Sequence, residues 1–148
     1  MVRISKILEG LISQVAFDMG RAGVNTNYKD YLMIALLRSK GSLARRVVER
    51  MAEDWQIYQI IVRIERQLKE QRVPFGINSF EFFAGYMESL TAQYSVQGSR
   101  VSTINALTDI LYDSSTISAE VFERYKITPQ AIEEQLALLD AVYAKKWG

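Results

Sequence analysis

Acidic pairs are the residues of this chain whose types best suit acid–base chemistry. The pairs are Glu53-Asp54 and Glu133-Glu134. Two carboxylates act as general acid and general base only when they converge on one reacting group. Adjacent residues of a helix do not face each other, so neither pair converges. We interpret the first pair as the start of a helix and the second as a solvated helix face.

The composition removes most other routes to catalysis. The chain of 148 residues contains no cysteine and no histidine, which excludes disulfides, cysteine nucleophiles, Ser-His-Asp catalysis and ordinary zinc sites. No glycine is followed by lysine, so the phosphate-binding loop of P-loop ATPases is absent. We therefore expect no enzyme, no cofactor and no metal. An enzyme built on Asp, Glu and Lys alone is the remaining catalytic alternative.

Charge is divided unevenly between the two halves of the chain. Residues 1–74 carry thirteen basic and eight acidic side chains, whereas residues 75–148 carry five and nine. This division fits a basic face for an acidic partner or contact between the halves, although ordinary solvated helix faces explain it more simply. The basic residues are not dense enough to predict nucleic-acid binding.

Nothing in the hydropathy pattern predicts a membrane segment. The longest apolar run, Tyr31 to Leu37, is far shorter than the ~20 residues needed to span a bilayer. The N-terminal residues lead into an amphipathic pattern rather than a signal peptide. We expect a soluble, cytoplasmic protein without a membrane partner.

Apolar residues recur at helical spacing along almost the whole chain. In the first half they predict four helices, and the second of these, around Tyr31 to Leu37, is apolar almost all round, as in a buried helix. Ser42 is the predicted N-cap of the third helix, and Asp54 that of the fourth. The other three stripes are Ile4, Leu8, Leu11, Ile12, Val15 and Met19, then Leu43, Val47, Val48 and Met51, then Ile57, Ile60, Ile61, Ile64 and Leu68.

The same pattern returns at a constant spacing of 74 residues, which is half of the chain. Ser42 corresponds to Thr116, and Asp54 corresponds to Thr128, which Pro129 follows at a position suited to a first helical turn. Two amphipathic helices resemble each other by chance, but four helix boundaries in register do not. We predict an all-α protein of eight helices, arranged as two pseudo-twofold-related four-helix repeats.

The two repeats are expected to form one domain that spans residues 1–148. Repeat 1 covers about 1–72 and repeat 2 about 75–148. The link from Lys69 to Gly76 contains Pro74, which disfavours helix at Val73. Because the link is short and apolar, we expect the repeats to share a core.

This order of elements resembles the double Clp-N domain, the N-terminal domain of Clp/Hsp100 unfoldases, over nearly the whole chain. The family's Gly-Thr-Glu-His run, followed by leucines and Ala-Leu-Leu, is echoed by Tyr28–Leu37 and again by Ser102–Leu111. Its small-residue turn with Ala-x-x-Val-Leu is echoed by Gly41–Val48, and its Ile-Pro-Phe by Val73–Phe75. The order, spacing and duplication of these motifs make the resemblance specific.

Two family positions differ here. The family's His is replaced by Tyr31 and Asn105, and its Glu by Asp30 and Ile104. In some bacterial relatives that acidic residue and the start of the preceding helix form a phosphoarginine pocket. Isoleucine cannot accept hydrogen bonds from a guanidinium group, so we expect the second pocket to be lost and Asp30 to be a cap or structural residue. The matching positions are Ile4, Ser5 and Asp30 in one repeat and Phe75, Gly76 and Ile104 in the other.

Binding is the function that the resemblance implies. Trp55, matched to Pro129 at a first-turn position, is expected to be exposed and is a candidate hot spot. The other apolar candidates have a spacing at which residues more often belong to the core than to a site. They are Tyr31, Phe75, Tyr86 and Ile104.

The leading hypothesis is a freestanding, non-enzymatic substrate- or adaptor-binding module of Clp-type protein quality control. Its partners would be a Clp-family ATPase or peptidase, an adaptor, or unfolded protein segments. One alternative is a structural accessory subunit of a Clp protease. Another is the N-domain fragment of a Clp unfoldase, or of its sheath-disassembling secretion-system relative.

Overall fold

Eight helices make up almost all of the described structure, a computed structural model that covers residues 3–22, 27–71, 79–94 and 100–138. The predicted all-α class is confirmed. No helix in these ranges is both long and apolar enough to cross a membrane. The helices are α1 (Lys6–Ala22), α2 (Tyr28–Arg38), α3 (Leu43–Glu49), α4 (Asp54–Gln71), α5 (Ser79–Tyr94), α6 (Thr103–Tyr112), α7 (Ile117–Arg124) and α8 (Pro129–Leu138).

Side-chain caps begin three helices where the sequence predicts them. At α3 and α7, the hydroxyl oxygens of Ser42 and Thr116 accept hydrogen bonds from the backbone N–H three residues later, at 3.2 and 3.1 Å. Thr128 makes the same contact at α8, at 3.1 Å, and Pro129 follows it as the first helical residue. These bonds satisfy N–H groups that have no partner in a first helical turn.

The predicted cap of α4 is wrong by one residue. The carbonyl of Glu53 accepts the first backbone hydrogen bond of the helix, from Ile57 at 3.0 Å. The side chain of Gln56 accepts a bond from the Glu53 N–H at 2.9 Å, as in half of a capping box. Asp54 is therefore the first helical residue, and Arg45 binds its carboxylate at 3.1 Å instead.

The ends of α3 and α7 differ by one residue. The N–H of Ala52 bonds to the carbonyl of Val48, four residues earlier. The N–H of Ile127 bonds to the carbonyl of Phe122, five residues earlier. The additional residue is Lys126, whose φ of 60° places it in the left-handed region. This is the geometry of a helix end closed by a left-handed residue.

The additional residue changes the correspondence between α4 and α8. Thr128 matches Glu53 in its hydrogen bonding, and Pro129 then matches Asp54 as the first helical residue. The predicted matches of Thr128 with Asp54 and of Pro129 with Trp55 are therefore wrong. The caps Ser42 and Thr116 are 74 residues apart, whereas Glu53 and Thr128 are 75 residues apart.

A short parallel pairing, which the sequence analysis did not predict, joins two distant parts of the chain. β1 (Arg3–Ile4) pairs with β2 (Arg100–Val101), and the N–H of Ser5 donates to the carbonyl of Val101 at 2.8 Å. Two-residue strands are too short to show alternating hydropathy. The pairing holds the start of α1 beside the start of α6.

The two most central helices are α2 and α6. α2 packs against α1, α3, α4, α6 and α7, and α6 packs against α2, α3, α5, α7 and α8. Four residues of the apolar run in α2, namely Leu32, Met33, Leu36 and Leu37, are fully buried. The core therefore draws on helices from before and after the link. The predictions for Pro74 and Phe75 lie outside the described residues.

Candidate functional site

An open, mainly apolar groove lies between α1, α2 and α4. Its volume is about 420 Å³, within the usual range of small-molecule and cofactor sites. Apolar side chains of all three helices form its floor and walls. They are Leu11, Val15, Met19 and Ala22 of α1, Tyr31, Ile34 and Ala35 of α2, and Leu68 of α4.

Polar side chains surround this groove. Arg38 of α2 and Glu65 of α4 form an ion pair at 3.0 Å. On α1 the amide of Gln14 donates to Asp18 at 3.0 Å, and Lys69 lies on the α4 side. Because this rim carries both signs of charge, it can orient a bound segment without requiring a particular net charge.

The groove forms because α2 carries more apolar surface than the core covers. Ile34 is buried, but Tyr31 and Ala35 are only half-buried. Ala35 and Ala22 end in a single methyl group, so neither extends a long side chain into the space. A longer side chain at position 35 would enter the groove.

The accessible residues among the predicted binding candidates do not form one site. Tyr31 lines the groove. Ile4 is half-buried in β1, and Trp55 is 61% exposed on α4, outside the groove lining. Phe75, like Gly76, lies outside the described residues. Only the prediction for Tyr31 therefore coincides with the groove among the described candidates.

Four predicted binding residues are buried and offer no surface to a partner in this structure. They are Ser5, Asp30, Tyr86 and Ile104. Ser5 precedes α1 and caps it, since its hydroxyl oxygen accepts a hydrogen bond from the Leu8 N–H at 3.2 Å. Ile104 belongs to the apolar core.

Asp30 holds the N-terminus of α7. Its Oδ2 accepts from the Ile117 N–H at 3.2 Å, and its Oδ1 accepts from the N–H and the hydroxyl of Ser118 at 2.7 and 2.6 Å. The carboxylate is fully buried, and its negative charge lies where the helix dipole favours it. A phosphoarginine guanidinium would have to displace these three bonds. The geometry agrees with the expectation of a capping role for Asp30.

A side chain at the start of α6 likewise caps another helix, α3. The hydroxyl oxygen of Thr103, the first residue of α6, accepts a hydrogen bond from the Ala44 N–H at 3.1 Å. The start of α2 thus caps α7, and the start of α6 caps α3. Both contacts are buried.

Tyr86 belongs to a polar cluster where α2, α5 and α6 meet. Its hydroxyl donates to Asp109 at 2.9 Å, and Lys29 Nζ lies 3.4 Å from Asp109 and 2.9 Å from Asp113. Burial, with the adjacent Asp109 carboxylate, raises the pKa of Tyr86 far above its usual range. Burial by itself lowers the pKa of Lys29, but the hydrogen bond to Asp113 and the charges of both carboxylates outweigh it and raise that pKa. Neither group is tuned for proton transfer near neutral pH.

Sequence reasoning missed part of the groove. It assigned Leu11, Val15 and Met19 to the core stripe of the first helix, and Val15 and Met19 are indeed buried. The available signal lay in α2, whose apolar residues surround the helix and exceed what one buried face requires. It also missed Tyr58, which is 68% exposed on α4.

No protein-family model matches this chain, and no curated protein matches it either. Within the described residues, no cluster of three or more acidic side chains is arranged to hold a metal ion. Function therefore has to be inferred from the groove and the exposed side chains.

Proposed function

We propose that this protein is a non-enzymatic substrate- or adaptor-binding module of Clp-type protein quality control, with the groove between α1, α2 and α4 as its binding site. The groove is the observation that carries the proposal. It is apolar, open and surrounded by polar side chains, as a site for an apolar protein segment should be. Its partners would be unfolded segments, an adaptor, or a Clp-family ATPase or peptidase.

The proposal includes a fold of two pseudo-twofold-related four-helix repeats, as in the double Clp-N domain. The helix packing supports it, because three of the contacts within α1–α4 have counterparts within α5–α8. α1 packs on α2 as α5 packs on α6, and α2 packs on α3 and α4 as α6 packs on α7 and α8. Contacts between the halves are also paired, since α3 with α8 matches α7 with α4, and α2 with α7 matches α6 with α3.

Hydrogen bonds at the caps give the same support at atomic detail. The Ser42 hydroxyl lies within hydrogen-bond distance of the carbonyls of Leu36 and Ser39, six and three residues earlier. The Thr116 hydroxyl makes the equivalent contacts with Ile110 and Asp113. Each residue of the first set is 74 positions before its counterpart in the second set.

The test is to fill the groove. Ala35→Gln places a longer, polar side chain there, and we expect it to weaken binding of fluorescein-labelled unfolded casein by about tenfold, the equivalent of about 1.4 kcal/mol. Ala92→Gln, at an exposed position of α5, is the matched control and should bind like the wild type. Fluorescence anisotropy measures both affinities.

A second arm tests the Clp assignment. The wild-type protein should co-elute with a purified Clp unfoldase, or compete with that unfoldase's own N-domain for an adaptor. Co-elution with the Clp peptidase ring alone, without casein binding, would favour the accessory-subunit alternative. Binding to none of these proteins would reject the Clp assignment, and equal casein binding by Ala35→Gln and Ala92→Gln would reject the groove.

A further inference from the structure

α4 presents a second surface to solvent, on the side opposite its buried residues. The exposed aromatic and basic side chains recur there at helical spacing. We call this surface the α4 ridge. It consists of Trp55, Tyr58, Gln59, Val62, Arg63 and Arg66, none of which lines the groove.

The aromatic residues of the α4 ridge are unusually accessible. Trp55 is 61% and Tyr58 68% exposed. A shallow depression of about 240 Å³ lies beside Tyr58 and is lined also by Val62, Arg63 and Arg66. Trp, Tyr and Arg are the residue types most enriched among binding hot spots. An exposed aromatic pair next to two arginines is therefore suited to contact with another molecule.

Contacts within the protein hold the side chain of Arg63 in place. Its Nε donates to the hydroxyl of Tyr125 at 3.1 Å, and that hydroxyl donates to Gln59 at 3.0 Å. The guanidinium carbon lies 5.9 Å from the centre of the Tyr125 ring. The terminal nitrogens of Arg63 form no hydrogen bond with a described residue. A guanidinium held in this way loses less side-chain entropy when it binds a carboxylate.

The arginines of the α4 ridge lack acidic partners within the part of the chain that the structure describes. Neither Arg63 nor Arg66 forms an ion pair there. Of the acidic residues nearby along α4, Asp54 is bound by Arg45, Glu65 is bound by Arg38, and Glu70 forms no ion pair with a described residue. The α4 ridge therefore carries positive charge that an external carboxylate can neutralise.

We infer that the α4 ridge docks an acidic protein segment whose carboxylates bind Arg63 and Arg66 and whose apolar or aromatic side chains pack on Trp55 and Tyr58. Guanidinium groups suit this role because they bind carboxylates through paired hydrogen bonds. Nucleic acid also combines negative charge with stacking surfaces, but its binding sites track a backbone with a groove of many basic residues. Two arginines on one convex helix, neither in an ion pair with a described residue, fit a short acidic peptide better.

The experiment uses three short degenerate peptide libraries with fluorescent labels. Alternate positions carry Leu, Phe or Tyr, and the remaining positions carry Asp/Glu, Asn/Gln or Lys/Arg. We expect the acidic library to bind at least about tenfold more tightly than the neutral one at low salt. The difference should shrink as ionic strength rises, because surface charge pairs are screened.

Variants then place the binding on the α4 ridge. Arg63→Gln combined with Arg66→Gln should reduce the preference for the acidic library to about the level of the neutral library, and Trp55→Ala should weaken binding about tenfold. Arg21→Gln is the matched control, because Arg21 is an exposed arginine that lies 5.8 Å from the ring of an exposed aromatic residue, Phe17. Its affinities should equal those of the wild type. Thermal unfolding by circular dichroism confirms that each variant is folded.

Three outcomes would overturn the inference. The first is equal or absent binding of the acidic and neutral libraries, even at about 1 mM peptide. The second is an acidic preference that survives the double arginine substitution. The third is tighter binding of a single-stranded oligonucleotide than of the acidic library. Since the α4 ridge shares no residue with the groove, Ala35→Gln should leave this binding unchanged, so failure here and failure of the proposed groove are separate results.

Discussion

Asp30 and Ser118 are 88 positions apart in the sequence, yet two hydrogen bonds of 2.7 and 2.6 Å join them in a fully buried contact. The Asp30 carboxylate accepts a third hydrogen bond, from the Ile117 N–H. The start of α2 is thereby fixed to the start of α7. Because two helices that are distant in sequence share one carboxylate, the contact couples the packing of α2 to that of α7.

Asp30→Ala should strongly destabilise the fold. Two buried backbone N–H groups and a hydroxyl lose their acceptor, so we expect the free energy of unfolding to fall by about 3 kcal/mol. Urea unfolding followed by circular dichroism gives the value. Asp18→Ala, an exposed carboxylate on α1, should change stability by less than about 0.5 kcal/mol. A loss below about 1 kcal/mol at Asp30 would mean that the Asp30 cap contributes little.

Thr103→Val tests the reciprocal contact at α3. Valine has nearly the same shape as threonine but cannot accept the Ala44 N–H, so we expect a loss of about 1–2 kcal/mol. Thr108→Val is the matched control. Thr108 is also buried, and its hydroxyl bonds to carbonyls of its own helix and to the side chain of Tyr94, but it accepts no hydrogen bond from a described backbone N–H, so no such N–H loses its partner. Equal effects of the two substitutions in urea unfolding would argue against a special role for Thr103.

The sequence predicted the elements better than the contacts between them. Ser42 and Thr116 were identifiable because a hydroxyl residue before an apolar run satisfies the N–H groups of the next turn. Asp54 was misassigned because Glu53 and Asp54 are both acidic at a helix start, and the choice depends on Arg45, nine residues earlier. The partner of Asp30 lies too far along the chain for periodicity to find.

The groove was only partly predictable for a similar reason. The apolar residues all round α2 predicted a buried helix, and Tyr31 was named only as one of four apolar candidates for binding. Which side of α2 stays open depends on how α1 and α4 pack against it, and helical spacing does not specify that packing. The α4 ridge shows the same limit, since Trp55 was named for an incorrect match to Pro129 and Tyr58 was not named at all.

Acid should weaken the fold through Asp113. Hydrogen bonds from Ser115, followed by the contact with Lys29, lower the pKa of Asp113 from 3.8 to about 2. A carboxyl group with a lowered folded-state pKa contributes stability above its unfolded pKa and loses that contribution as the pH falls through its folded pKa. The contribution of Asp113 should therefore disappear between about pH 4 and about pH 2.

Asp113→Asn isolates this contribution. The variant should be less stable than the wild type near neutral pH, and the difference should narrow as the pH falls toward about 2. Urea midpoints measured over this range provide the comparison. Asp18→Asn is the control, because Asp18 is an exposed carboxylate that forms no ion pair with a described residue. Its urea midpoint should change with pH as that of the wild type does. A constant difference between Asp113→Asn and the wild type at all pH values would show that protonation of Asp113 is not involved.

Lys126 should be a site where a single substitution stabilises the protein. Its φ of 60° closes α7, and the left-handed conformation costs a residue with a Cβ atom roughly 1–2 kcal/mol. Glycine avoids that strain, although its greater freedom in the unfolded chain offsets about 0.4–1 kcal/mol. Lys126→Gly should therefore raise the free energy of unfolding by about 0.5–1 kcal/mol. Lys126→Ala keeps the strain while removing the same charge, so its stability in urea should stay close to that of the wild type. Equal stabilisation by Gly and Ala would assign the effect to the lysine charge rather than to the left-handed backbone at this position.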